Sequence, residues 1–242
     1  MNLLLTLSKL KRNPKLASVR KYTNLLYYDP EWVNVKLSNY DVVEVDGCRF
    51  YVTDQINAVQ RVNGNDWFDR VRPTDTVVDI GANIGAMTIP FAKVAKRVYA
   101  VEPLFFEDLE RNIKLNGLDN VTVIYAGVGN GGSKIIGFSS KSAPSTIISF
   151  DALRSKIGTP IDFLKMDGEG CEWEIEPPEL KGIRELRIEF HISRDNTRED
   201  RRKYQEYMDW IKSEGYEIFA TDEDTGPNPY FIGHPEVRAS LR

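Results

Sequence analysis

The stretch VVDIGANIGAMTIP, residues 77–90, decides the fold of this chain. Its apolar run ends in the carboxylate of Asp79, and glycines follow at Gly81 and Gly85. A buried strand, a glycine turn and the start of a helix, in this order, form the nucleotide-binding corner of an open α/β sheet. Because the ligand of such a corner lies at the strand end, the negative charge of Asp79 indicates which ligand fits.

A dinucleotide is one candidate ligand for this turn. Its fingerprint, G-x-G-x-x-G/A, needs a middle glycine so that the backbone can approach the pyrophosphate. Gly81 and Ala86 fit the outer positions, but Asn83 occupies the middle one. Asp79 would also repel the phosphates. A nicotinamide-dependent oxidoreductase is therefore disfavoured and stays as an alternative, together with a cofactor-binding module that has no catalytic activity.

S-adenosylmethionine presents the opposite charges, since it carries an ammonium, a sulfonium and a single carboxylate. We predict that the carboxylate of Asp79 faces the cationic end, while N–H groups at the start of the helix bind the ligand's carboxylate. Glu102 ends the next predicted strand, and its two oxygens can accept both ribose hydroxyls. The combination of Asp79, Asn83 and Glu102 favours S-adenosylmethionine.

Strands and helices alternate from residue 76 onward, which predicts a mostly parallel sheet with helices on both faces. The predicted helices lie at 84–96, 105–116 and 199–214. The last two predicted strands are joined only by DEDTGPNP, residues 222–229, so they must be antiparallel. An insertion at 127–161, with short strands expected at 134–138 and 146–150, either folds over the ligand crevice or decorates an edge.

Residues 1–60 are predicted to form an N-terminal extension before a domain at 61–242 that binds S-adenosylmethionine. Residues 1–28 have helical spacing and contain six basic and no acidic residues. They form either a solvated helix face or a surface for an anionic partner. Further on, Asp46-Gly47 between two extended runs predicts a β-hairpin.

Composition excludes several classes of protein. The chain has 242 residues, 41% of them hydrophobic, and a net charge of -4, as expected of a globular protein. Two cysteines, Cys48 and Cys171, form no disulfide framework or metal motif, so a reduced, cytoplasmic setting is expected. The sequence shows no transmembrane segment. No metal site is predicted, although the acids could hold Mg²⁺ to orient a diol.

Several motifs in order resemble the FkbM family of S-adenosylmethionine-dependent methyltransferases: DIGANIGAMTIPFAK, VYAVEP, ERNIKLNGL, FLKMDGEGCEWEI and RIEFH. The resemblance covers residues 77–191. It implies the class I methyltransferase (Rossmann-like) fold, a seven-stranded sheet with an antiparallel last strand, and methyl transfer, most typically to oxygen. It assigns the methionine end to Asp79, Gly81, Asn83 and Gly85 and the ribose to Glu102. The full predicted cofactor set also includes Ala82, Pro103, Ala126, Gly127 and Asp167.

A second group of polar residues ends two later strands. Asp167 and Glu169 belong to KMDGEG, and His191 ends ELRIEFH, where Glu189 is expected to pair with a base. We predict that Asp167, Glu169 and His191 are catalytic, with His191 as a general base of pKa near 6.5. The acceptor stays open: the hydroxyl of a sugar, lipid, peptide or RNA.

Overall fold

The computed structural model describes residues 36–39, 42–51, 53, 55, 58–59, 62, 69–139, 141–224 and 231–241. At 36–39, 220–224 and 231–234 only the backbone is described. The helical prediction for residues 1–28 lies outside the described residues. Within them, every helix is too short or too polar to cross a bilayer.

A small antiparallel sheet precedes the main one. It comprises β1 (Lys36–Asn39), β2 (Val42–Val45) and β3 (Cys48–Tyr51). Asp46 and Gly47 join β2 to β3 with φ values of 46° and 71°, the left-handed conformation that a two-residue hairpin turn requires. The predicted hairpin is therefore confirmed.

The central sheet has seven main strands. They are β4 (Thr76–Ile80), β5 (Arg97–Val101), β6 (Val121–Ile124), β10 (Phe163–Met166), β11 (Glu185–Glu189), β13 (Tyr216–Asp224) and β14 (Phe231–Leu241). Their order is β6-β5-β4-β10-β11-β14-β13, and a two-residue strand, β12 (Ile192–Ser193), also pairs with β14. The first five strands are parallel, whereas β14 is antiparallel to both neighbours. This is the class I arrangement that we predicted.

Four α-helices accompany the described part of the sheet: α1 (Thr88–Val94), α2 (Phe106–Leu115), α3 (Phe150–Ile157) and α4 (Thr197–Ser213). The helix predicted from residue 84 starts four residues later, because Gly81, Asn83 and Gly85 all adopt positive φ values. The strand predicted at 146–150 ends at Ile148, because helix α3 begins at Phe150. Ser149 caps it by accepting a 3.1 Å hydrogen bond from the Ala152 backbone N–H.

The insertion forms a separate sheet of three strands, β7 (Gly127–Val128), β8 (Gly132–Phe138) and β9 (Lys141–Ile148), in the order β7-β9-β8. Residues of all three strands line a cavity at the carboxyl ends of β4 and β5. Of the two alternatives left by the sequence, the insertion therefore covers the crevice.

The N-terminal sheet packs on the same region. Val43 and Phe50 are buried in one cluster with Ile84 and Leu104. The Tyr51 backbone N–H donates a 2.8 Å hydrogen bond to Oδ1 of the buried Asn112 in α2. The hairpin thus shares a core with the turn that follows β4.

Candidate functional site

A cavity of about 580 Å³ opens where the strand order reverses, at the carboxyl ends of β4 and β10. Its size is in the usual range for small-molecule sites. The predicted site residues that line it are Gly81, Ala82, Asn83, Glu102, Pro103, Ala126, Gly127, Asp167 and Glu169. Asp79, Gly85 and His191 are outside the lining and lie behind it.

The structure corrects the expected orientation of Asp79. This carboxylate is fully buried, and its Oδ2 accepts a 2.6 Å hydrogen bond from the Thr88 hydroxyl. Its Oδ1 lies 3.1 Å from Nζ of Lys165. The charge of Asp79 is therefore balanced inside the protein and does not face the cavity. The predicted direct contact between this carboxylate and the cationic end of S-adenosylmethionine is therefore wrong.

Lys165 is a site residue that was not predicted from the sequence. Its ammonium donates hydrogen bonds of 3.1 and 2.9 Å to the carbonyls of Ile80 and Gly81, and it lies 3.7 Å from Oδ2 of Asp167. It therefore ties the ends of β4 and β10 together beneath the cavity. A lysine inside the apolar strand FLKM was the available signal, because buried lysines are almost always paired.

Gly81 is required by the packing of the two strand tips. A Cβ at this position would lie 1.8 Å from the backbone oxygen of Asp167, and its φ is +74°. Gly85 has a related role, since a Cβ there would lie 2.9 Å from Cδ1 of Leu109 on α2. Both glycines shape the turn, and only Gly81 also lines the cavity.

Gly81→Ala is expected to destabilise the fold by about 2–4 kcal/mol, since it combines a left-handed φ with a clash against fixed backbone. Gly117→Ala is the matched control, because Gly117 has a φ of +67° and a Cβ there would meet no atom within 4 Å. This control should cost only about 1 kcal/mol. Urea denaturation measures both, and equal losses would refute the packing argument.

Glu102 organises the turn from the end of β5. Its Oε2 accepts a 2.7 Å hydrogen bond from the Asn83 backbone N–H, and its Oε1 accepts bonds of 2.8 and 3.0 Å from Leu104 and Phe105. Oε1 already accepts two bonds, whereas Oε2 accepts one and retains acceptor capacity for a ligand hydroxyl. Its position in the cavity lining is compatible with the predicted contact to a ribose.

His191 is buried just behind the cavity, against a second buried acid. Glu172 Oε1 lies 3.0 Å from Nδ1 of the ring and also accepts a 2.7 Å bond from the His191 backbone N–H. The other ring nitrogen, Nε2, points to Asp167 Oδ1 at 3.7 Å and Glu169 Oε2 at 3.5 Å. The three predicted catalytic residues therefore converge, and Glu172 joins them.

These carboxylates change the protonation of His191. Burial lowers the pKa of the ring, but Glu172, Asp167 and Glu169 outweigh this effect and raise the pKa to about 10. The ring is therefore a cation at neutral pH. This corrects the expectation of a general base with a pKa near 6.5, because a protonated imidazole donates hydrogen bonds and cannot accept the proton of a substrate.

The insertion is held over the cavity by an ion pair. Nζ of Lys134 on β8 lies 2.5 Å from Oε1 of Glu174, whose Oε2 accepts a 2.9 Å bond from the Asn130 backbone N–H. Burial raises the pKa of Glu174, but Lys134 and Asn130 lower it more, so it is ionised. Near this pair, the side chain of Ile135 is 78% exposed at the cavity mouth.

The family model described as the methyltransferase FkbM domain matches residues 79–218. This segment begins at Asp79 and contains the tips of β5, β10 and β11, and thus nearly all of the cavity described above. It is more than half of the chain.

Three solved structures share the fold. A putative transferase, PH0793, from Pyrococcus horikoshii gives a TM-score of 0.51 at 16% identity and covers 82% of this chain and 70% of that one. Trm5b from Pyrococcus abyssi gives 0.50 at 17% identity, covering 83% and 56%. A putative rRNA-methylase from Clostridium thermocellum gives 0.50 at 13% identity, covering 80% and 99%.

Two curated relatives match shorter segments. The uncharacterized protein MJ1452 of Methanocaldococcus jannaschii is 31% identical over 39% of this chain and 31% of its own length. A probable ribosomal RNA small subunit methyltransferase A of Methanosphaera stadtmanae is 38% identical over 22% of this chain and 21% of its own length. The chain thus spans less than a third of each curated relative that it matches here.

Proposed function

We propose that this chain, which belongs to the FkbM family of S-adenosylmethionine-dependent methyltransferases, transfers the methyl group to an oxygen atom of its acceptor. Its cofactor is S-adenosylmethionine, and it is a transferase. We propose below which residues hold the cofactor and which accept the proton of the acceptor's hydroxyl.

The observation that carries the proposal is the carboxylate of Asp167 at the cavity edge. Asp167 is 15% exposed, follows the tip of β10 and lies beside Glu169, which is 41% exposed. An alcohol attacks the methyl carbon as the carbon–sulfur bond breaks, releasing S-adenosylhomocysteine, and its proton must leave. A carboxylate within hydrogen-bond reach accepts that proton or orients the hydroxyl.

His191 has a different role in this proposal from the one expected at first. As a cation beside Asp167 and Glu169, it attracts both carboxylates and fixes their orientation. It is therefore a positioning residue. Of the carboxylates, Asp167 is proposed as the proton acceptor, because Lys165 and His191 fix its position at the cavity edge.

The cofactor is proposed to lie across the ends of β4 and β5. Glu102 would accept a ribose hydroxyl through Oε2. Gly81, Ala82 and Asn83 would line the methionine end. Ala126 and Gly127, after β6, would line the base. This leaves the sulfonium methyl group near Asp167.

The acceptor enters, in this proposal, between the insertion and the loop at 168–170, both of which line the cavity. The exposed Ile135 at that mouth suits an acceptor with an apolar part. Among sugars, lipids, peptides and RNA, the acceptor class stays open. The basic residues 1–28 are proposed to contact an anionic part of the acceptor or of a partner.

Calorimetry with S-adenosylhomocysteine, S-adenosylmethionine and NAD⁺ tests the cofactor assignment. The first two should bind, whereas NAD⁺ should not, since Asn83 blocks the approach of a pyrophosphate to the turn. Methyl transfer is then followed with labelled S-adenosylmethionine and matched pairs of acceptors, such as sugars and the corresponding amino sugars. Methylation of the amine alone would contradict transfer to oxygen, and tighter binding of NAD⁺ would contradict the cofactor site.

A further inference from the structure

We propose that Asp167, Glu169 and His191 form a binding site for one divalent cation of the Mn²⁺ type at the edge of the cavity. Each residue offers one ligand atom, and these atoms all lie within 4.8 Å of one another. No metal site was predicted from the sequence; the pairing of β10 with β11 brings His191 to the two acids.

The distances fit a common cation. Nε2 of His191 lies 3.5 Å from Glu169 Oε2 and 3.7 Å from Asp167 Oδ1. Two ligands bonded to one cation at about 2.2 Å can be at most about 4.4 Å apart, and neighbouring octahedral ligands are about 3.1 Å apart. Small side-chain adjustments, easiest for the exposed Glu169, would bring all three donors to bonding distance.

The surroundings of His191 are those of a metal ligand. Glu172 is fully buried and lies 3.0 Å from Nδ1, so it holds one proton of the ring on that nitrogen and aims Nε2 at the two carboxylates. The bound cation would displace the proton that Nε2 carries in the metal-free protein. A carboxylate behind a ligating histidine is the usual outer partner at metal sites. A fourth carboxylate, Glu189, has its Oε1 3.9 Å from Nε2 and adds to the attraction for a cation.

The donor set indicates the kind of cation. The two carboxylates suit Mn²⁺ as well as Mg²⁺, and the imidazole nitrogen favours a transition-metal ion over Mg²⁺. In an octahedral complex three positions would remain, on the side of Glu169 and the cavity. These open positions imply an acceptor with two neighbouring oxygens, such as a vicinal diol, which would complete the coordination. This step rests on the proposed function.

The experiment titrates Mn²⁺ into the full chain after removal of metals with a chelator, following free Mn²⁺ by electron paramagnetic resonance. We expect one bound Mn²⁺ per chain. Glu169→Gln should weaken its binding at least about 10-fold, and Glu172→Gln should weaken it about 10–100-fold through the misoriented ring. Glu110→Gln is the matched control, since Glu110 lies on α2, pairs with Tyr125 and should leave the affinity unchanged.

The position of the cation is tested separately. Bound Mn²⁺ should broaden the resonance of the ¹³C-labelled methyl group of S-adenosylmethionine, and Glu169→Gln should remove this effect. Failure of the folded chain to bind Mn²⁺, or undiminished binding in both Glu169→Gln and Asp167→Asn, would overturn the metal site. Calorimetry with S-adenosylhomocysteine on the same sample separates the two proposals, because its failure would count against the proposed function instead.

Discussion

Lys165→Met is expected to destabilise the chain by about 3–5 kcal/mol, the largest effect on stability that the structure predicts. The substitution keeps the volume of the side chain but leaves the carboxylate of Asp79 without the ammonium that lies 3.1 Å away. Asp79 is fully buried, so water cannot replace this partner. Urea denaturation gives the change in the free energy of unfolding.

Two further variants separate the ion pair from other contacts of Lys165. Adding Asp79→Asn to Lys165→Met should recover much of the lost stability, because it removes the buried charge. Lys181→Met is the surface control: its ammonium lies 3.2 Å from Glu214, but the side chain is 72% exposed, and its loss should cost less than about 1 kcal/mol. Similar losses for the two lysine variants would show that the buried pair contributes little.

The central sheet was predictable because each of its strands carries its own signal. Buried parallel strands are short apolar runs, and the short link at 222–229 left only an antiparallel ending. The strand order confirms both predictions. The start of α1 was harder to predict from the sequence. Ile84 and Met87 have helical spacing, but the positive φ of Gly85 delays the helix.

The partner of Asp79 could not be read from the sequence. Asp79 and Lys165 are 86 positions apart in the chain, and they become neighbours because β4 and β10 pair in a register that places one directly beside the other. Sequence motifs show which residues end a strand, but not which residue lies across the sheet. An acid beside a glycine turn was therefore interpreted as a ligand contact, although its partner is internal.

The same limit explains the missed role of Glu172. The residues CEWE after the loop form a 3-10 helix, and this turn carries Glu172 back beneath His191. No periodicity in the sequence indicates that contact. Without Glu172, a pKa near 6.5 was the natural expectation for a histidine at a strand end, and with it the ring is a cation whose orientation is fixed.

Asp167→Asn is expected to lower kcat for methyl transfer by about 10²–10⁴-fold, the usual contribution of a positioned proton acceptor. The amide keeps the shape of the side chain but cannot accept the proton of the acceptor's hydroxyl as the new carbon–oxygen bond forms. Affinity for S-adenosylhomocysteine should change less than about 3-fold, since Glu102 and the turn at 81–83 are proposed to supply most cofactor contacts. Turnover of the acceptor found with labelled S-adenosylmethionine gives the first value, and calorimetry the second.

The comparison between kcat and affinity decides which role Asp167 has. If it instead bound the ammonium of the cofactor, the substitution would weaken S-adenosylhomocysteine binding strongly, and saturating cofactor would restore turnover. Measured without added metal, Glu169→Gln should lower kcat less than Asp167→Asn, because Glu169 is 41% exposed and water can replace part of its function. Glu110→Gln, on α2 and outside the cavity lining, should leave both constants unchanged. Full activity of Asp167→Asn would move the proton chemistry to Glu169 or to water.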